Sequence, residues 1–294
     1  MKLLLVTNPA AGKGRGLKVS EQAAQFLKSH DIETQMLISN YAGHIADLMR
    51  DVYVDNYNGI VAVGGDGTLF EIINGLLKTH SELSVPLGQI PVGTGNSFIR
   101  DLGILTLQDA YDKILAQKTR PVDVGYFTYD DGEYYFINLL GFGFVANVAH
   151  RARKYKMFGD FSYIFGVLEE VVILSFSNLE ITIDGTTYHR QNTFVEISNS
   201  TCTGGDMIMA PDAKIDDGYL DVILLRNVTR IKLLKAFPKI FKGTHVEMDE
   251  VEVFKAKHII AKTDNPKILT PDGEVFGSTP IEVKILPHKI RMFG

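Results

Sequence analysis

The chain has 294 residues, of which 45% are hydrophobic and 22% charged, and its formal net charge is −5. That length allows one large domain or two ordinary ones with ample core, and the acid excess argues against bulk nucleic-acid binding. The lone cysteine, Cys202, rules out an internal disulfide, fits a reducing compartment, and reads as a small buried residue rather than a reactive thiol.

The opening "MKLLLVTNPAAG" carries a short apolar run without the length or cleavage pattern of a signal peptide. The longest nearly apolar run, "FINLLGFGFVANVA" (136–149), is shorter than the roughly 20 residues a membrane span needs. A soluble, cytoplasmic protein is expected, one that meets lipid, if at all, from the side.

Strand and helix alternate over the first 120 residues. "LLLV" (3–6) reads as a strand and "GLKVSEQAAQFLKSH" (16–30) as a helix with apolar residues at 19, 23, 26 and 27. A strand at 34–39, a helix at 44–53 and the apolar strand "GIVAV" (59–63) follow. Next come a helix at 69–77, a strand at 87–92 and a helix at 107–117. This rhythm implies parallel strands joined by crossover helices, hence a doubly wound α/β sheet.

Near residue 121 the pattern changes to short β-rich runs, among them "YYFINLLGF", "LEITIDGTTYH" and "YLDVILL", separated by Asp-Gly turns. Helices are expected only at 151–172 and 229–241. The reading is an N-terminal doubly wound domain (1–120) and a C-terminal antiparallel β-sandwich (121–294), with a return of the extreme C-terminus to the first domain left open.

Glycines cluster where helices begin. In "VAVGGDGTLFEIINGLL" (61–77), Leu69, Ile72, Ile73, Leu76 and Leu77 form one apolar helix face, and Thr68 with Glu71 suggests a capping box. The helix N-terminus then lies at Gly64, Gly65, Asp66 and Gly67, where main-chain N–H groups suit an anion. Asp66 beside a phosphate implies a bridging divalent cation. Alone, the stretch reads equally as a tight turn with Asp66 bonding its own backbone. Two further loops, "TNPAAGKGRG" (7–16) and "PVGTGNSF" (91–98), also follow strands, and neither standard phosphate-loop motif is present. Three such loops at the carboxyl ends of parallel strands point to a polyphosphate.

These segments, with "SNSTCTGGDMIMAPDAKIDDGYLDV" (198–222) and "PDGE" (271–274), resemble the diacylglycerol kinase catalytic family, specifically the soluble bacterial lipid kinases related to sphingosine and ceramide kinases. The resemblance spans essentially the whole chain. "GGDGT" alone is shared with NAD kinases and, loosely, phosphofructokinases; the ordered set is specific. The resemblance implies ATP bound in the cleft between two domains, contacted by Asn8, Pro9, Gly12, Lys13, Ser39, Gly64 to Thr68, Thr94, Gly95 and Asn96. It implies Mg2+ served by Asp66, directly or through water.

The family's catalytic carboxylate falls at Asp272 or Glu274, a choice the sequence leaves open, since "KILTPDGEVF" by itself is a good hairpin. A structural magnesium in relatives maps to Asp217 with the carbonyls of Lys214 and Tyr219; the bare residues read equally as an ion-free hairpin turn at Asp217-Gly218. One departure stands out. Relatives read GTGND, whereas here Asn96 is followed by Ser97, which weakens the cation network or shifts it onto Asp123. The implied activity is ATP-dependent phosphorylation of a lipid hydroxyl such as that of diacylglycerol. An NAD or other soluble-metabolite kinase, and a catalytically impaired nucleotide-binding regulator, are the competing readings, and a homodimer is left open.

Two basic segments suit contact with an anionic bilayer. "RNVTRIKLLKAFPKIFKG" (226–243) has six cations and no acid, with Ile231, Leu234, Phe237 and Phe241 on one helical face. "RARKYKMFGDFSYIFG" (151–166) mixes cations with aromatics. Each taken alone reads rather as a solvated face over an ordinary core stripe, and it is the resemblance to lipid kinases that implies peripheral membrane contact.

Overall fold

The computed structural model describes residues 1–93, 95–152, 169–171 and 173–294. Contacts divide the chain into two units, Met1–Val124 with Pro287–Gly294, and Gly125–Leu286.

In the first unit four strands run parallel: β1 (Lys2–Thr7), β2 (Glu33–Ile38), β3 (Gly59–Gly64) and β4 (Leu87–Pro91). Their order is β2-β1-β3-β4, and Met292 from the end of the chain pairs in parallel beside Leu87. All six residues of β3 are buried, which is why it reads as an unbroken apolar run rather than an alternating one. Helices Gly16–Lys28, His44–Arg50, Asp66–Leu77 and Leu107–Ala116 connect the strands. Thr106 caps the last of these in a complete capping box with Asp109.

The capping box expected at Thr68 and Glu71 does not form. The helix starts at Asp66 with Gly65 as its cap and no side-chain cap bond. The Glu71 carboxylate instead accepts the N–H groups of Gly43 and Ile45, each at 3.1 Å, and so serves the start of the His44–Arg50 helix. An acid at a neighbouring helix's positive end is stabilised as well as one on its own.

The second unit is antiparallel. Its strands are the latter part of β5 (Thr119–Tyr129), then β6 (Gly132–Phe136), β7 (Leu139–Gly143), β8 (Ser177–Ile183) and β9 (Thr186–Ser198). After them come β10 (Cys202–Thr203), β11 (Met207–Ile208), β12 (Leu220–Arg226) and β13 (Val251–Ala256). The set closes with β14 (His258–Thr263), β15 (Ile268–Pro271), β16 (Phe276–Ser278) and the first part of β17 (Ile281–Phe293).

Strand β9 organises this unit. Its first half pairs with β8 and its second half with β7 and β12. Side chains alternate across it: Val195 and Ile197 join a core with Leu140, Phe142 and Val222. Phe194 faces the other way, into a second core with Phe144, Ile223 and Leu233. Asp184 (φ 46°) and Gly185 (φ 86°) make the two-residue turn between β8 and β9, both in the left-handed region such a hairpin demands.

The helix expected at 151–172 begins earlier, as Phe144–Ala152, directly after β7. Residues 153–168 and 172 lie outside the described ones, so most of that expectation, with most of the basic 151–166 segment, does too. Arg151 is not a solvated cation: Glu169 and Glu170 both pair with it. The second expected helix is Arg230–Ile240, whose cap Thr229 accepts the Lys232 N–H at 3.3 Å. Phe237 is turned inward, away from Ile231 and Leu234. Cys202 is half-buried rather than sealed. Among the described residues no helix is long and apolar enough to cross a membrane.

Candidate active site

The three glycine loops of the first unit come together. β1 lies between β2 and β3, so the strand order turns at this point, where open α/β sheets bind ligands beyond the carboxyl ends. Gly12 has φ 58°, and a Cβ there would lie 2.3 Å from the Val92 carbonyl oxygen. A Cβ on Gly16 would lie 1.9 Å from the carbonyl oxygen of Asn8. Only glycine allows these approaches. Built Cβ atoms on Gly65 and Gly93 both point to Asn96 Oδ1, at 3.7 and 3.8 Å.

Within the first loop, Asn8 Oδ1 accepts the Ala10 N–H at 3.0 Å, closing a turn through Pro9. Lys13 takes the left-handed conformation (φ 61°), is exposed, and forms no ion pair among the described residues. Ser39 is buried at the end of β2 and donates its N–H to Thr7. Thr68 is buried under Gly64, and Asn96 bonds back to the Gly93 carbonyl. Thr94 lies outside the described residues.

Asp66 opens the Asp66–Leu77 helix, which has no side-chain cap. Thr68 and Leu69 donate their N–H groups to the Gly65 carbonyl at 3.0 and 3.3 Å, which leaves those of Asp66 and Gly67 without an intrahelical acceptor. Its Oδ2 accepts the Ser97 N–H at 2.9 Å, whereas Oδ1 is buried without a partner. Burial pushes this carboxyl above its ordinary value, against hydrogen bonds from Ser97 and Phe98 that pull it down. A buried carboxylate oxygen with nothing to accept fits a cation ligand. Asp123 is different. It is fully buried, and its Oδ1 accepts the His288 N–H at 2.6 Å, so it holds the returning C-terminal segment.

Arg15 went unremarked in the sequence. Its Nε donates to the Gly12 carbonyl at 2.9 Å and Nη2 to the Val92 carbonyl at 3.4 Å, tying the first loop to the loop after β4. The run of cations in "GKGRG" was the available signal, but nothing local marks which cation faces its own backbone.

In the second unit the turn between β15 and β16 carries Asp272 and Glu274. Asp272 is buried at φ 46°, and its carboxylate accepts three main-chain N–H groups, from Ile137 (3.0 Å), Asn138 (2.9 Å) and Leu139 (3.0 Å). Ile137 and Asn138 form the break between β6 and β7, and Leu139 opens β7. Glu274 is half-exposed, its N–H closing the turn on the Pro271 carbonyl at 2.8 Å.

The Asp217 segment is not a β-hairpin, because β12 pairs with β9 and β13 rather than with the chain before it. Asp217 Oδ1 accepts the Tyr219 N–H at 3.0 Å. Its Oδ2 faces the Lys255 ammonium at 2.9 Å, and the buried Asp221 shares that ammonium at 3.3 Å. Lys214 and Tyr219 are exposed. The positive charge that the Asp217 side chain meets here is therefore a lysine. Among the described residues no three His, Cys, Asp or Glu side chains gather as a metal site.

The second unit also holds an apolar cavity of about 50 Å³, lined by residues that include Phe144, Met207, Met209, Leu233, Phe237 and Met248.

Comparison with known proteins agrees with this arrangement. Residues 2–127 match the diacylglycerol kinase catalytic domain, and residues 138–294 match the YegS C-terminal NAD kinase beta sandwich-like domain. A diacylglycerol kinase of Mycobacterium tuberculosis is 28% identical over 99% of this chain and 94% of its own. Sphingosine kinase 1 of Arabidopsis thaliana is 26% identical over 93% of this chain and 68% of its own. A Bacillus anthracis crystal structure provisionally named as a diacylglycerol kinase superposes with a TM-score of 0.81 at 27% identity, covering 99% of this chain and 96% of that one. With both halves so matched, the chain belongs to the family that joins a diacylglycerol kinase catalytic domain to a YegS-type beta sandwich-like domain.

Proposed function

We propose that this chain is a lipid kinase that transfers the γ-phosphoryl group of ATP to the hydroxyl of a lipid of the diacylglycerol class. The observation that carries the reading is the buried, unpartnered Oδ1 of Asp66 at the head of the converged glycine loops. Loop N–H groups and Lys13 hold the phosphates, a task for which left-handed glycines and an unpaired cation are suited. Magnesium, held by Asp66, supplies neutralisation of phosphate charge. The acceptor's oxygen forms the new bond to the γ-phosphorus as the bridge to ADP breaks, and its proton passes to Glu274. Asp272 is left as a positioning residue, because three amides occupy its oxygens. Positioning and charge stabilisation provide most of the acceleration, the base a smaller share.

Support for a lipid acceptor comes from the names of the relatives and from the apolar cavity of the second unit. At about 50 Å³ the cavity admits an acyl chain only as Met207, Met209 and Met248 move aside, which unbranched thioether side chains do readily. The test is transfer of labelled phosphate from ATP with magnesium to a panel of lipid alcohols, with NAD as a parallel acceptor. A labelled lipid phosphate is expected; label in NAD alone would overturn the reading.

A further inference from the structure

The Arg230–Ile240 helix has two unlike faces. Leu233, Ala236, Phe237 and Ile240 point inward and line the apolar cavity. On the opposite arc Ile231 is 67% exposed and Leu234 44%, and Phe241 just beyond the helix is 47% exposed. With Pro238, also exposed, these form a stripe at positions i, i+3, i+7 and i+10 along one side of the helix. Lys235, Lys239 and Lys242 flank that stripe, are exposed, and form no ion pair among the described residues. Lys232 is engaged with Glu250 and is not counted among them. Nearby acids are Glu247 and Asp249, which follow the helix rather than share its stripe.

Solvent does not call for such a stripe. Isolated exposed apolar residues are ordinary, but four in helical register beside three unpaired lysines, on a chain of net charge −5, are not. The combination matches a helix that lies in a membrane interface, with apolar side chains below the headgroups and ammonium groups against their phosphates. We propose that this helix docks the protein on an anionic lipid bilayer, with Ile231, Leu234 and Phe241 submerged and Lys235, Lys239 and Lys242 against the headgroups. Docked in this way, the helix is the wall between bilayer and cavity, and a small tilt or slide of it opens the cavity to an acyl chain. The choice of bilayer as occupant rests on the lipid kinase reading and on the charge complementarity.

The experiment is flotation of the full chain, without nucleotide, on vesicles of phosphatidylcholine alone or mixed with phosphatidylglycerol. Wild type is expected to float with the anionic vesicles and to be released by salt. Ile231→Glu/Leu234→Glu should lose about tenfold or more in binding while keeping its turnover on a short-chain, water-soluble diacylglycerol. Lys235→Gln/Lys239→Gln/Lys242→Gln should lose the preference for anionic vesicles by a similar factor. Undiminished flotation of either variant would overturn the proposal. So would a wild type that ignores both vesicles and instead forms a dimer that Ile231→Glu/Leu234→Glu breaks. Stripe-dependent flotation without phosphoryl transfer to any lipid would uphold the docking surface and defeat the kinase reading.

Discussion

Asp66 Oδ2 accepts the main-chain N–H of Ser97 at 2.9 Å, and the Ser97 hydroxyl bonds the same carboxylate. A serine therefore braces the acid at the position where the resemblance implies a second acid, and Ser97 adds no negative charge beside it. Asp66→Asn keeps an acceptor toward Ser97 but removes the charge. Turnover should fall by at least about a hundredfold, the size of a lost charge-stabilising group. Stability should hold or rise. The folded carboxyl titrates above its ordinary 3.8, so its contribution to stability is fully present below that pH and lost as pH rises. At neutral pH the burial of this carboxyl is then a cost that asparagine removes. Thermal melts alongside transfer assays check both; retained turnover would take Asp66 out of the mechanism.

Asp272 and Glu274 lie two residues apart and should separate cleanly. In Asp272→Asn an amide NH₂ must face one of three N–H donors in a buried site, at a cost of roughly 2–4 kcal/mol. Glu274→Gln replaces a half-exposed side chain and should leave the melting temperature nearly unchanged while slowing transfer about 10²–10⁴-fold. Denaturant melts paired with kinetics decide. A stable, inactive Asp272→Asn beside an active Glu274→Gln would reverse the assignment.

Glu196 sits near the end of β9, buried, with Oε2 lacking any partner. Burial alone pushes its carboxyl up to about 8, from an ordinary 4.5. A raised folded value means the stabilisation is complete below about 4.5, shrinks as pH climbs, and is gone above about 8. The slope is at most about 1.4 kcal/mol per pH unit across that window. Wild type should therefore lose stability between pH 5 and 8 relative to Glu196→Gln, which carries no titrating group there. Urea melts of both chains at several pH values isolate the difference; parallel curves would mean that Glu196 is already ionised in the fold.

What the sequence reveals and conceals follows the range of each interaction. The doubly wound half is legible because its signals are local: β3 is a buried apolar run, and Thr106 finds its capping partner three residues on. The glycine loops are legible because Gly12 and Gly16 answer a steric demand that only one residue type meets. Errors begin where a side chain serves a distant backbone. Glu71 caps a helix that starts 27 residues earlier, at His44. Arg15 reaches Val92, 77 positions away. Asp272 collects amides more than 130 residues upstream. Periodicity also misplaced Phe237, which lies at the edge of the helical stripe, where the cavity claims it.

Lys255 presents the most direct contrast with a metal-holding turn. Burial alone would lower its pKa, yet Asp217 and Asp221 together carry it above the ordinary lysine value, so the ammonium is secure at neutral pH. Asp221, being buried, is still raised in spite of that partner. The pair Lys255–Asp217 is the shorter and better hydrated, and Lys255–Asp221 is the one whose loss strands a charge. Lys255→Met should therefore cost about 1–3 kcal/mol, and a further Asp221→Asn should restore part of it. The turn in wild type should be indifferent to metal: without nucleotide, EDTA and magnesium should give the same melting temperature. In Lys255→Met the two carboxylates are left facing each other, so magnesium should raise the melting temperature there. Calorimetry on wild type, Lys255→Met and Asp217→Asn separates this turn from the nucleotide loops. A wild type that EDTA destabilises, with the effect absent in Asp217→Asn, would show a divalent cation where we place the lysine.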